Sequence, residues 1–205
     1  MSLKLDPRLV DALSEPGCTI VVANHRSPLD IPVLMYLCQA RPPHFVCRRG
    51  LEQGIPGISP LVRHWCAVLS KKPQENEALL LGLGRHIKAT EGVAVIFPEG
   101  RKTTRTYPDL TPFKPGGLTR LVKAAPDSRV VAVAIRGTHE AWPGPWRLPR
   151  PGVTIEGIFA TSASVETVNP ELLVSHCETA IRTTLERPTR PASEGDVTWT
   201  SSPTH

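Results

Sequence analysis

The stretch T-I-V-V-A-N-H-R-S-P-L-D, residues 19–30, joins an apolar, β-branched run to a group of polar side chains. Its first five residues are typical of a buried strand. Ser27 and Pro28 then mark a turn, and the apolar residues after them predict a helix over 29–39. In α/β folds such a turn lies at the carboxyl end of a strand, where ligands gather. The polar residues of this turn are therefore candidates for a functional site.

The rest of the chain alternates short apolar runs with longer helical patterns. Strands are predicted over 44–47, 66–69, 93–97, 130–135 and 153–158. Helices are predicted over 57–64, 76–90, 116–125 and, after Asn169 as N-cap, from Pro170 onward. This alternation predicts an α/β fold, a single domain with a mostly parallel, mixed sheet flanked by helices. The domain is expected over 1–187, and the polar, proline-rich tail over 188–205 is expected to be disordered.

Composition narrows the class of protein. With 205 residues, of which 40% are hydrophobic and 21% charged, the chain is expected to form one globular domain with a substantial core. No apolar run approaches the roughly 18 residues of a membrane span, and no signal peptide is visible. Five irregularly spaced cysteines are typical of free thiols in a cytoplasmic protein. No paired cysteine motif accompanies the histidines, so no metal site is expected.

Positive charge is concentrated in the middle of the chain. Residues 41–125 contain 14 Arg or Lys against 6 Asp or Glu, whereas the net charge of the whole chain is +5. A basic segment indicates an anionic ligand such as a phosphate, a nucleotide-like cofactor, a nucleic acid or an acidic membrane surface. An ordinary solvated basic face explains the same charge. Because aromatic residues do not interleave with the basic ones, no nucleic acid is expected as a partner.

His25 and Asp30 form the first candidate catalytic pair, with H-x4-D spacing. Five residues apart, they do not share the i,i+4 face of one helix. They can still meet if His25 lies in the turn and Asp30 in the first turn of the following helix, as a general base and its orienting carboxylate require. A structural role is equally open, because S-x-x-D at 27–30 fits a capping box and Asp30 is itself a suitable N-cap.

Two further motifs combine tight turns with cations. F-P-E-G-R-K at 97–102 follows a predicted buried strand, and its glycine lets a ligand approach the backbone closely. Arg101 and Lys102 are suited to gripping a phosphate; the alternative is a basic turn in which the glutamate pairs with a neighbouring arginine. F-K-P-G-G at 113–117 puts Lys114 just ahead of a helix N-terminus, which itself favours anions.

N-H-R-S-P-L-D at 24–30 and the two motifs at 97–102 and 113–117 occur in the order and approximate spacing of the glycerolipid acyltransferase family. The chain resembles this family, which includes the 1-acylglycerol-3-phosphate (lysophosphatidic acid) acyltransferases, over roughly residues 19–142. The resemblance implies a glycerol-3-phosphate acyltransferase-like fold and a role in phospholipid biosynthesis. The implied enzyme moves a fatty acyl group from acyl-CoA or acyl carrier protein to a hydroxyl of a lysophosphatidic-acid-like acceptor.

The resemblance also implies a role for individual residues. His25 would deprotonate the acceptor hydroxyl while Asp30 holds its imidazole, a scheme without acyl-enzyme or cofactor. Backbone N–H groups near the helix N-terminus after His25 are the expected oxyanion donors. The expected substrate ligands are cationic or lie in the turn after the strand: Lys71, Lys72, Glu99, Gly100, Arg101, Lys102 and Lys114.

The sequence departs from the family pattern at several points. Arg101-Lys102 stands where Thr-Arg is usual, Lys71 or Lys72 takes the place of an Arg, and the late strand has Ala132 where a Pro is usual. Fewer than 20 residues precede the first predicted strand, so no embedded pair of helices is expected there. This implies a cytoplasmic enzyme, with peripheral contact to the inner face of the membrane left open.

Two alternatives to this function also stay open. One is a specialised-pathway acyltransferase that acylates a non-lipid hydroxyl or amine. The other is a non-catalytic basic module. Separately, a loop with Trp142 and Trp146 beside Arg147 is suited to a membrane interface, although such a loop more often packs on its own core.

Overall fold

The computed structural model describes residues 2–48, 66–69, 72–100, 109–143, 148–165, 169–188 and 197–200. Several sequence-based predictions lie outside the described residues: the helix over 57–64, the proposed ligands Lys71, Arg101 and Lys102, and Trp146.

Eight strands in the described part of the chain form one sheet. They are β1 (Ser2–Leu5), β2 (Thr19–Ala23), β3 (Pro43–Arg48), β4 (Cys66–Leu69), β5 (Val93–Ile96), β6 (Arg129–Arg136), β7 (Thr154–Ser164) and β8 (Val197–Thr200), in the order β4-β3-β5-β2-β6-β7-β1-β8. The run from β4 to β6 is parallel, β7 is antiparallel to β6, β1 is parallel to β7, and β8 is antiparallel to β1. The predicted mostly parallel, mixed sheet is confirmed.

Helices cover both faces of this sheet. The described helices are α1 (Pro7–Ser14), α2 (Asp30–Leu37), α3 (Pro73–Ala89), α4 (Pro115–Ala124), α5 (Thr138–Ala141) and α6 (Pro170–Glu186). α1 and α2 pack on one face, and α3, α4 and α6 pack on the other. β2 is apolar along most of its length because Ile20 and Val22 face one layer while Val21 and Ala23 face the other. No helix among the described residues is long and apolar enough to cross a bilayer.

Four elements of the fold were not predicted: β1, α1, α5 and β8. α1 carried a recognisable signal, since the Asp6 side chain accepts the N–H of Arg8 and Pro7 opens the helix. β8 lies within the tail that composition predicted to be disordered, where it pairs with β1. Residues 197–200 thus form a strand that composition alone does not predict, and the disorder expected for the tail stays a prediction.

The topology brings three loops to one edge of the sheet. β2 lies between β5 and β6, and the three strands are parallel, so their carboxyl ends point the same way. The segments that follow them begin at Asn24, Phe97 and Gly137. Residues far apart in sequence therefore meet at this edge.

Candidate active site

Asn24 fastens the end of β2 to β6. Its side-chain amide donates to the carbonyl of Ile135 at 2.9 Å and its carbonyl oxygen accepts the N–H of Ile135 at 2.7 Å. The side chain is buried, and it provides two of the hydrogen bonds that backbone pairing no longer supplies where β2 leaves the sheet. Asn24 thus sets the point from which the His25 loop departs.

His25 and Asp30 are brought together as predicted. Nδ1 of His25 lies 2.8 Å from Oδ2 of Asp30. The same Oδ2 accepts the backbone N–H groups of Arg26 at 2.7 Å and Ser27 at 2.9 Å. A carboxylate oxygen is an acceptor, so the imidazole places its Nδ1–H there and leaves the lone pair of Nε2 for another partner. Asp30 is 0% exposed and the His25 side chain is 16% exposed, so the imidazole is bound by a buried carboxylate and still reaches the surface.

Asp30 also has the structural role that the S-x-x-D pattern suggested, in a different form. α2 begins at Asp30, and its N-cap residue Leu29 makes no side-chain capping bond. The Asp30 carboxylate instead reaches back to the N–H of Ser27, which is one half of a capping box. The two proposed roles of Asp30 are therefore compatible, since one oxygen holds both the turn and the imidazole.

The imidazole of His25 is also fixed by an aromatic contact. Its ring stacks on Phe97 with centroids 4.3 Å apart and an interplanar angle of 24°. Phe97 in turn lies 6.5 Å from the ring of Phe45 on β3. The first residue of the F-P-E-G-R-K motif therefore supports one face of the imidazole, while Asp30 fixes the rotation of the ring.

Glu99 lies inside the protein, with 0% of its surface exposed. Oε1 accepts the backbone N–H of His25 at 2.8 Å and Oε2 accepts that of Thr111 at 3.0 Å. Burial raises the pKa of Glu99, against the opposing effect of these two N–H groups and of the charges of Arg26 and His25. This placement differs from the contact with an acceptor phosphate that the resemblance implies, because both oxygens are engaged by backbone.

Arg26 is a site residue to which the sequence analysis gave no role. It is 2% exposed, and its guanidinium donates to the backbone carbonyl of Asp109. Its positive charge also acts on Glu99. A buried arginine is destabilising unless its charge and donors are matched, so Arg26 and Glu99 together tie the segment after β2 to the segment at 109–111.

The predicted oxyanion donors are not available in this arrangement. The N–H of His25 is used by Glu99, and those of Arg26 and Ser27 by Asp30. Pro28 has no N–H. The Leu29 N–H donates to the Ser27 hydroxyl at 3.2 Å, and the Asp30 N–H donates to the Ser27 carbonyl at 3.2 Å. In this structure the N–H groups of the turn bond to Glu99, Asp30 and Ser27, and the role of this helix N-terminus as an oxyanion donor stays a prediction.

The two lysine candidates in the described part of the chain lie near different strands. The Lys114 N–H donates to the carbonyl of Pro98 at 3.0 Å, so the backbone of this exposed residue lies beside the turn at Gly100, where φ is +73°. Lys72 is 75% exposed, pairs with Glu75 at 3.1 Å, and follows β4. Because β4 is three strands from β2, the two strand ends are about 14 Å apart at the usual strand spacing.

Thr138 is the site residue that sequence reasoning missed completely. Its hydroxyl donates to Oδ1 of Asp30 at 2.6 Å, and the residue is fully buried. The available signal was positional: a polar residue directly after the strand next to β2, at the same edge of a parallel sheet.

Within the described residues, no group of three or more His, Cys, Asp or Glu side chains is placed to hold a metal ion. The described site therefore consists of His25, the buried carboxylate of Asp30 and the hydrogen bonds that fix that carboxylate.

The chain is similar to known proteins in both sequence and fold. The family model named Acyltransferase matches residues 10–136, which is more than half of the chain and contains all three motifs. No curated protein matches the sequence. A similar solved structure is the 1-acyl-sn-glycerophosphate (LPA) acyltransferase PlsC from Thermotoga maritima, with a TM-score of 0.65 and 23% identity over 92% of this chain and 74% of that one. That likeness supports the fold, and the family match confirms the resemblance seen in the motifs. The chain belongs to the acyltransferase family.

Proposed function

We propose that this enzyme transfers a fatty acyl group from a thioester donor to a hydroxyl of a lysophosphatidic-acid-like acceptor. The observation that carries the proposal is the His25–Asp30 pair at the carboxyl end of β2. Nδ1 of His25 is held by a buried carboxylate at 2.8 Å, which leaves Nε2 to act as a base.

The reaction follows from that arrangement. Nε2 of His25 takes the proton of the acceptor hydroxyl as its oxygen attacks the thioester carbonyl carbon. A new C–O bond forms, and collapse of the tetrahedral intermediate breaks the C–S bond. The thiolate of the departing carrier takes the proton back from the imidazolium, so no acyl group is attached to the protein. Asp30 stabilises the imidazolium while it carries the proton, as a carboxylate beside a charged ring does.

The acceptor phosphate is proposed to bind beside the turn at Gly100. The backbone of Lys114, the residue ahead of α4, lies beside that turn, and the N-terminus of a helix favours an anion. Arg101 and Lys102 follow Gly100 directly in sequence and are proposed as further ligands. Glu99 is proposed to shape this turn from inside, because a buried carboxylate next to a phosphate would repel it.

The donor is proposed to be acyl-CoA or acyl carrier protein. Both are anionic outside the thioester, and the basic segment over 41–125 complements that charge. The proposed chemistry needs no metal or cofactor. Since a lysophosphatidic-acid-like acceptor resides in a membrane, the proposal includes a cytoplasmic enzyme with peripheral contact to the inner face of the membrane.

Product analysis by mass spectrometry tests the proposal. The purified chain is incubated with acyl-CoA or acyl carrier protein and with either lysophosphatidic acid or monoacylglycerol, which lacks the phosphate. We expect phosphatidic acid as the main product and little diacylglycerol, with neither formed by His25→Ala. Transfer to a non-lipid hydroxyl or amine in preference to lysophosphatidic acid would replace the acceptor assignment and leave the acyl transfer intact.

A further inference from the structure

We infer that Thr138 is a positioning residue, which fixes the Asp30 carboxylate so that it holds His25 as a base. The inference rests on the proposed role of His25 in acyl transfer. The two carboxylate oxygens of Asp30 have different hydrogen-bond partners. Oδ2 serves the Nδ1 of His25 and two backbone N–H groups, whereas Oδ1 accepts the Thr138 hydroxyl at 2.6 Å.

The Thr138 bond acts on the rotation of the carboxylate. A carboxylate turns easily about its Cβ–Cγ bond, since that torsion is broad rather than staggered. A donor fixed on Oδ1 confines the rotation and keeps Oδ2 directed at Nδ1 of His25. Hydrogen bonds to a charged carboxylate are short and strong, and they are stronger still when the group is buried. Thr138 is thus placed to define the direction of the base without touching a substrate.

The backbone around Thr138 is itself held rigidly. Gly137 directly follows β6 with φ at +83°, and a Cβ there would lie 2.1 Å from the carbonyl oxygen of Thr154. Only glycine therefore fits this turn. The N–H of Ala141 then reaches the Gly137 carbonyl at 2.9 Å, and that of Trp142 reaches the Thr138 carbonyl at 2.8 Å. These bonds set Thr138 at the start of α5.

A second hydrogen bond joins the segment after β6 to the turn before α2. The Ser27 hydroxyl donates to the carbonyl of Trp142, so the turn before α2 is tied to the end of α5 as well. Asn24 fixes β2 to Ile135 just before the turn. The hydroxyl of Thr138 is therefore presented to Asp30 by a frame that does not depend on the hydroxyl itself. Removal of the Thr138 hydroxyl is therefore expected to change the direction of the Asp30 carboxylate rather than to unfold the protein.

The test compares Thr138→Val, which keeps the shape and removes the hydroxyl, with Thr138→Ser, which keeps the hydroxyl. Thr184→Val is the matched control, since Thr184 is buried in α6 and its hydroxyl bonds only locally, to the Ala180 carbonyl at 2.8 Å. Each variant is assayed for kcat and for donor and acceptor KM. Proton NMR of the free protein then follows the hydrogen-bonded Nδ1–H of His25, a resonance assigned by its absence in His25→Ala.

Thr138→Val is expected to lower kcat roughly ten- to hundredfold with both KM values nearly unchanged, as loss of a bond to a charged group does. Its Nδ1–H resonance should move or broaden, while Thr138→Ser restores both. Thr184→Val should leave kcat and the resonance unchanged. The inference is overturned if Thr138→Val keeps the wild-type resonance and kcat, or if Thr138→Ser is equally impaired. The NMR measurement needs no substrate, so it still decides the inference if lysophosphatidic acid is not the acceptor.

Discussion

The two sides of the site are built differently. On the His25 side, buried Asp30 and Glu99 both bond to backbone N–H groups. On the cationic side, the side chains of Lys72 and Lys114 are exposed. Hydrogen bonds between buried groups are strong and fixed in direction, whereas interactions between exposed charges are weak and are screened by salt. Under the proposed function, this difference predicts that the fold preorganises the catalytic pair and that acceptor binding depends on exposed surface charge.

The sharpest test of the buried side is removal of the base. His25→Ala should lower kcat by about 10²–10⁴-fold, the usual contribution of a general base. The fold should survive, because the backbone N–H of His25 still reaches Glu99. His176→Ala, an exposed histidine on α6, is the control and should behave as wild type. A near-wild-type kcat for His25→Ala on the true substrate would remove the catalytic assignment.

Asp30→Asn should have a smaller effect on rate and an added effect on stability. An amide keeps one acceptor oxygen but cannot serve the same four donors, so one bond to His25, Arg26, Ser27 or Thr138 is lost. We expect a kcat lower by roughly ten- to hundredfold and a free energy of unfolding lower by about 1–3 kcal/mol. Enzyme assays and urea titration measure the two. A loss of stability with unchanged kcat would leave Asp30 only its structural role in the turn.

Glu99 makes the stability of the buried side depend on pH. Burial raises its pKa, so the folded state holds this proton more tightly than the unfolded state. The contribution of that proton to stability is complete below the ordinary pKa of a glutamate and is lost as pH rises through the raised one. Glu99→Gln removes this titration. The free energy of unfolding of wild type relative to Glu99→Gln should therefore fall as pH rises across that window, and parallel pH curves for the two proteins would contradict the prediction.

On the buried side, the sequence predicted the local contact between His25 and Asp30 but not the contacts between distant segments. The motif at 24–30 identified His25 and Asp30 because both lie in one local turn, whose geometry follows from strand, turn and helix signals. Thr138 and the true contacts of Glu99 were missed because they join segments 108 and 74 residues apart. Only strand order brings those segments together, and strand order is not written in local periodicity. For the same reason Lys72 looked equivalent to Lys114, although β4 lies three strands from β2.

The smallest expected effects belong to the cationic side, where Lys114 and Lys72 form a matched pair. Both are exposed, yet only Lys114 lies beside the Gly100 turn, through its bond to Pro98 at 3.0 Å. Lys114→Ala should raise the acceptor KM roughly two- to fivefold, since an exposed charge pair contributes up to about 1 kcal/mol. Lys72→Ala should leave it unchanged, because Lys72 pairs with Glu75 at the far strand. Added salt should narrow the gap between wild type and Lys114→Ala, since the Debye length falls to about 3 Å at 1 M. The measurement is acceptor KM at low and high salt with one fixed donor. Equal KM values for both variants and wild type at low salt would move the proposed phosphate site away from the turn and leave the His25 chemistry untouched.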